Sequence, residues 1–343
     1  MNRIILILSL LLLFAFAACA DSALAVAAEK IDSRRKATEL FAELLAIPRE
    51  PPDVKVAVQD RQAASNVIIE DITWESLDGE QPYALVMKPL GASGKLPAVI
   101  CLHGSSDSRD SISTENFGPG EWLRYGASKP HQTLLGWARE LARRGYVTLA
   151  LTQRGLDRRL PGTESQTKAL LVYGRTLMGA IVYEIRQAIT YLRTRADVDA
   201  ERIGITGMSF GGITTFYTWL VDDRIAAAAP ICGGVGSVDV FVKIGSRDYH
   251  GIYWWIPGML KVGDQGDFAA AMAPRPLMLW APRQDVGMPK EGVDRFAQTV
   301  APAYRKAGRA DYLVLHQPDG QHSFTLEAFE AMNSFFDRFL KAR

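Results

Sequence analysis

The sequence predicts an α/β domain: a mostly parallel, twisted sheet with helices on both faces and an antiparallel hairpin at its N-terminal edge. Three observations predict it. Short, largely apolar runs alternate with longer stretches of helical periodicity. A glycine-rich turn carrying one serine joins one such run to a helix. Two β-rich runs ahead of the series flank the turn signal Asp78-Gly79.

The first segment belongs to targeting. Arg3 supplies a positive n-region, Ile4 to Phe16 is apolar apart from Ser9, and Ala18-Cys19-Ala20 offers a cleavage site, so residues 1–20 are expected to be a signal peptide that sends the protein to the periplasm or medium. Phe16-Ala17-Ala18-Cys19 also loosely resembles a bacterial lipobox, which makes Cys19 a candidate lipid anchor. No later stretch approaches the roughly 20 apolar residues of a membrane span, so no integral membrane domain is expected. Residues 21–65 read as a lead segment with a helix from Ser33 to Ile47, and 66–343 as one domain.

Within that domain, Asn66 to Glu75 and Tyr83 to Pro89 form the hairpin. The runs Leu96 to Leu102, Tyr146 to Leu151, Arg202 to Thr206, Ile225 to Cys232, Pro276 to Ala281 and Tyr312 to Leu315 suit strands buried on both faces. Helices are expected over Thr133 to Arg144, Thr176 to Arg195, Phe210 to Val221, Lys290 to Lys306 and Thr325 to Leu340. Strict βα alternation makes the sheet parallel. Two long connections, Ser105 to His131 and an aromatic insert over 234–266 carrying Tyr249, Tyr253, Trp254 and Trp255, are read as walls of a site.

Composition narrows the function. With 39 basic against 38 acidic residues there is no field to recruit nucleic acid. H-E-x-x-H, paired C-x-x-C and Walker-type motifs are absent, so neither a metal nor a cofactor is expected. Cys101 and Cys232 sit in apolar runs and read as small buried hydrophobes.

Gly207-Met208-Ser209-Phe210-Gly211-Gly212 fits G-x-S-x-G. With 18 Ser and 29 Gly in 343 residues, chance alone gives roughly 0.13 matches, so the pattern's weight comes from its setting between an apolar run and a helix-like run. A nucleophilic hydroxyl must stand clear of the sheet at a sharp turn, where a Cβ two residues away would clash. Of five histidines, His322 alone lies in a loop between the last strand and last helix, at the sheet edge where ligands of open α/β folds bind. Asp285 closes the Pro276 strand and is the candidate acid, ahead of Asp264, Asp267 and Asp319. His103-Gly104 ends the first parallel strand, at the turn that commonly supplies an oxyanion donor. The N–H groups of Ser105 and Phe210 are therefore the candidate donors, and His103, Tyr253, Trp254 and Trp255 the candidate substrate contacts.

These residues resemble the α/β-hydrolase superfamily from about Leu96 onward. Val198-Asp199-Ala200-Glu201-Arg202-Ile203-Gly204 and Met272-Ala273-Pro274-Arg275-Pro276 look like the dienelactone-hydrolase-like and acetyl-xylan-esterase-like branch. The resemblance implies esterase or deacetylase chemistry. It is imperfect: dienelactone hydrolases proper use a cysteine where this chain has Ser209, and the Arg-Gly-Gln-Gly of acetyl xylan esterases is here Arg154-Gly155-Leu156-Asp157. The expectation is an exported serine hydrolase acting on an acyl ester of a carbohydrate or other small molecule. The alternatives are a peptidase resembling the prolyl-oligopeptidase catalytic domain, for whose propeller the residues before Leu96 are too few, and a non-catalytic binding relative.

Overall fold

Among the described residues, nine strands form one sheet. In chain order they are β1 (Val56–Ala64), β2 (Val67–Trp74), β3 (Tyr83–Pro89), β4 (Leu96–Leu102), then, after a separate hairpin of β5 (Gly118–Trp122) and β6 (His131–Leu135), β7 (Val147–Leu151), β8 (Val198–Met208), β9 (Ala227–Ile231), β10 (Leu277–Trp280) and β11 (Leu313–His316). The computed structural model describes residues 31–50, 52–122, 131–245 and 249–342, so the expected leader and Cys19 lie outside the described residues. No described helix is long and apolar enough to cross a membrane.

The order β1-β2-β3-β7-β4-β8-β9-β10-β11 places the three antiparallel strands at one edge and six parallel strands beyond them. The six expected parallel runs all become parallel strands; β4, β7, β9 and β10 are buried almost throughout, which is why their sequences read as continuous apolar stretches. Two elements differ from the reading. β1 lies in the stretch taken as a lead, yet it pairs along its length with β2; its residues are mostly exposed, so no alternation marked it. Thr133 to Leu135, taken as the start of a helix, pairs instead with Gly118 to Gly120, and the helix begins at Trp137.

Helices cover both faces. On one, α1 (Arg34–Leu45) packs with α4 (Leu177–Thr194) and α5 (Phe210–Val221), which follow α2 (Trp137–Arg143) and α3 (Thr163–Val172) in the chain. On the other, Gly204 and Thr206 of β8 face Phe336, Leu340 and Met332 of the C-terminal helix, which begins at Leu326. The C-terminal end of α5 is held by Arg275, whose buried guanidinium donates to the carbonyl oxygens of Trp219, Asp222 and Ile225 at 2.5, 2.7 and 3.1 Å. A cation at a helix C-terminus complements the carbonyl dipoles. Burial pulls this guanidinium down to about 10, so it stays charged at neutral pH. This is the physical use of the Arg in the Met272 to Pro276 stretch.

Candidate active site

Ser209 occupies the turn between β8 and α5 with φ 56° and ψ −114°, a conformation that L-residues rarely adopt. It persists because the surroundings over-determine it. The Ser209 N–H donates to the Ile231 carbonyl at 2.9 Å, and α5 begins at once with Gly212 and Ile213 donating back to the Ser209 carbonyl. The three glycines are fixed by close backbone approach. A Cβ on Gly207 would lie 2.5 Å from the Gly211 oxygen and 2.6 Å from the Leu102 oxygen. One on Gly211 would fall on the Leu102 oxygen, and one on Gly212 would lie 2.6 Å from Gly233 Cα. The extra glycine after the motif thus serves contact between the nucleophile helix and the loop after β9.

The three nominated side chains converge. His322 Nε2 lies 2.9 Å from Ser209 Oγ, and His322 Nδ1 lies 2.8 Å from Asp285 Oδ2. An ionised carboxylate only accepts, so Nδ1 carries the proton and Nε2 is left to accept from the serine hydroxyl. The second carboxylate oxygen of Asp285 accepts the Gly287 N–H at 2.8 Å, which fixes the carboxylate plane. His322 and Asp285 are buried, at 3% and 2% exposure, so their pairing is shielded from solvent competition. The loops that carry them are stitched together: Arg283 N–H donates to Pro318 O at 2.9 Å, and Gln284 N–H to Gly320 O at 3.0 Å. On the far side β6 holds the histidine loop, with Phe324 N–H donating to Gln132 O and Gln132 N–H to Ser323 Oγ. The rival acids have other work. Asp264 accepts from Ser237, Val238 and Asp239, Asp267 from the Asp264 N–H, and Asp319 pairs with Arg283 at the surface.

Ser209 and His322 open onto a cavity of about 50 Å³ whose walls include Ser105, Phe210, Tyr249, His250, Tyr253 and Trp254. Ser105 and Phe210, the candidate oxyanion donors, and Tyr253 and Trp254, two of the candidate substrate contacts, all line this cavity. Two expectations need correction. Trp255 lines a separate apolar cleft of about 240 Å³, beyond Tyr253, together with Leu177 and Ile256. His103 is fully buried and touches no part of the cavity. Its Nδ1 lies 2.8 Å from the Gly104 carbonyl, and its Nε2 accepts the Gln153 N–H at 3.3 Å. Burial lowers its pKa, in keeping with a neutral scaffold imidazole.

Sequence reasoning missed what the fold brings in from elsewhere. His250 stacks on Trp254 with centroids 4.4 Å apart and hydrogen-bonds the Gly287 carbonyl through Nε2 at 2.8 Å. Cys232 closes β9 at the cavity wall, its Sγ 3.4 Å from the Ser323 carbonyl, and burial pushes the thiol well up. Gln153 links the two segments that carry the candidate donor N–H groups. Its side-chain amide donates to the His103 carbonyl at 2.7 Å and accepts from the Thr214 hydroxyl, one turn into α5, at 2.7 Å. Nothing in the residues around Gln153 marks it, because both partners are distant in the chain. Replacing Gln153 with leucine removes this clamp and leaves buried polar groups unpaired, at a cost of about 1–3 kcal/mol. If the Ser105 and Phe210 N–H groups bind an oxyanion, the Gln153→Leu variant is expected to lose about tenfold in kcat with KM within about twofold, because such donors serve the transition state more than the bound substrate. Steady-state kinetics on a folded sample checks this; an unchanged kcat removes the clamp's role.

Comparison with known proteins agrees with this architecture. The Bacillus subtilis (strain 168) protein YtaP, named as a hydrolase, is 28% identical over 301 residues, covering 87% of this chain and 96% of its own length. Among solved structures, the glucuronoyl esterase from Solibacter usitatus is 15% identical with a TM-score of 0.66, over 88% of this chain and 91% of its own. The acetyl xylan esterase from Paenibacillus sp. R4 is 18% identical with a TM-score of 0.59, over 88% of this chain and 92% of its own. At such identities the structural likeness speaks for the fold. The model of the dienelactone hydrolase family matches residues 125–333, a segment that holds Ser209, Asp285 and His322. With well over half of the chain matched and the fold in agreement, this protein belongs to the dienelactone hydrolase family and is a hydrolase.

Proposed function

We propose that the chain is an exported serine esterase that removes a short acyl group from a carbohydrate or other small alcohol through Ser209, His322 and Asp285. The observation that carries the reading is the continuous contact from Asp285 through His322 to Ser209, 2.8 and 2.9 Å, opening on a small aromatic-walled cavity. His322 Nε2 takes the Ser209 proton as Oγ attacks the ester carbonyl; Asp285 stabilises the imidazolium that forms. The developing oxyanion faces the N–H groups of Ser105 and Phe210. The imidazolium then protonates the departing alkoxide, and water repeats the cycle on the acyl-enzyme. A carbohydrate leaving group is favoured by the name of one structural neighbour, an acetyl xylan esterase, and by aromatic faces on which sugar rings pack. Export rests on the leader-like residues 1–20.

A panel of aryl esters, acetylated sugars and prolyl peptides tests the reading. A cavity of about 50 Å³ admits an acetyl group far better than a long chain, so kcat/KM is expected to fall at least about tenfold from acetyl to octanoyl aryl ester. A folded preparation whose Ser209 reacts with a fluorophosphonate but which, unlabelled, hydrolyses no ester, or one that prefers octanoyl, overturns it.

A further inference from the structure

Cys232 directly follows β9 and lines the same cavity as His322. Its Sγ, a carboxylate oxygen of Asp285 and a ring nitrogen of His322 all lie within 4.8 Å of one another, and all three residues are buried. They come from the end of β9, the loop after β10 and the loop after β11, so the sheet edge itself assembles the group. In a tetrahedral zinc site with bonds of about 2.0–2.3 Å, such ligand atoms stand about 3.4–3.6 Å apart. Thiolate, carboxylate and neutral imidazole form a donor set suited to a borderline-soft dication, and their two negative charges neutralise it in a site that is costly for an unbalanced charge.

We propose that Cys232, Asp285 and His322 form an inhibitory zinc site, reached through the cavity that Cys232 and His322 line. Binding replaces the Cys232 S–H with a sulfur–zinc bond, and the thiol proton leaves to solvent. Zinc takes the place of the proton on His322 Nδ1, and the neutral ring then carries its proton on Nε2. An Nε2–H donates where the reaction needs an acceptor, so the ring no longer serves as base to Ser209. The Asp285 charge is directed to the metal instead of to an imidazolium. The inhibition part rests on the esterase reading above; the binding part does not.

The test uses the full chain, wild type and Cys232→Ser, a near-isosteric change that removes the soft ligand. Hydrolysis of an aryl acetate is titrated with zinc chloride, with magnesium chloride as the hard-cation control and a chelator to reverse the effect. In parallel, cobalt chloride is added and the thiolate-to-cobalt charge-transfer absorption is recorded, a readout that needs no turnover. The expected result is chelator-reversible inhibition by zinc but not magnesium, a midpoint at least about tenfold higher in Cys232→Ser, and an absorption band in wild type that the variant lacks. Equal zinc midpoints in the two proteins, or no band in wild type, overturns the site. A protein inactive on every ester that still gains the band keeps the metal site and rejects the esterase reading.

Discussion

Replacing Ser209 with alanine is expected to lower kcat/KM on an aryl acetate by about 10⁴-fold or more, with the protein still folded. The prediction is well isolated, because serine and alanine both carry a Cβ and so meet the same constraint at φ 56°. The hydroxyl has one described side-chain contact, His322 Nε2, so its loss leaves packing nearly unchanged. What disappears is the atom that forms the covalent bond, and with it the acyl-enzyme route. A fluorophosphonate reports the same atom directly: mass is added to wild type at Ser209 and none to the variant. Residual activity within tenfold of wild type in the folded variant removes Ser209 as nucleophile.

The largest effect on stability is expected at Gly211. A Cβ there meets the Leu102 oxygen closer than real structures allow, the Leu102 carbonyl carbon at 2.5 Å and the His103 oxygen at 2.8 Å. All three are backbone atoms of β4 and its following residue, held in the middle of the sheet between β7 and β8. No flexible side chain is there to yield, so either the strand end or the helix start must shift. Gly211→Ala is therefore expected to cost about 3 kcal/mol or more, read as a fall in Tm by calorimetry. Gly118→Ala, where a Cβ meets nothing within 4 Å, is the control and is expected to leave Tm within about a degree or two. If the two variants melt together, the close approach of α5 to β4 does not govern the turn.

Much of this was legible in the sequence, for reasons that differ by element. The parallel strands announced themselves because burial on both faces demands unbroken apolar runs. Ser209, Asp285 and His322 could be nominated because the order of strands fixes which loops meet at one sheet edge, and of five histidines only His322 stood in the loop between the last strand and last helix. β1 was not, since an edge strand with Gln59, Asp60 and Arg61 in the open carries no period-two signal. His103 was nominated for the cavity because adjacency in sequence suggests adjacency in function. Its neighbours in space, Gln153 and Gly104, instead make it a strut. The insert that carries Tyr249 was read as a wall of the site, but no local pattern marked His250 within it, and Cys232 looked like any buried thiol until β9 ended beside the acid and base.

The backbone stitching between the Arg283 to Asp285 loop and the Pro318 to His322 loop has a dynamic consequence. The Arg283 and Gln284 N–H groups, both donating across that seam, join the imidazole and its carboxylate into one body, while Ser209 rides on another, the helix α5. Warming or mild denaturant is then expected to act first on the gap between the two bodies, across which His322 Nε2 meets Ser209 Oγ at 2.9 Å. Competence for hydrolysis becomes a coordinate with one soft direction, and activity fades while circular dichroism remains native.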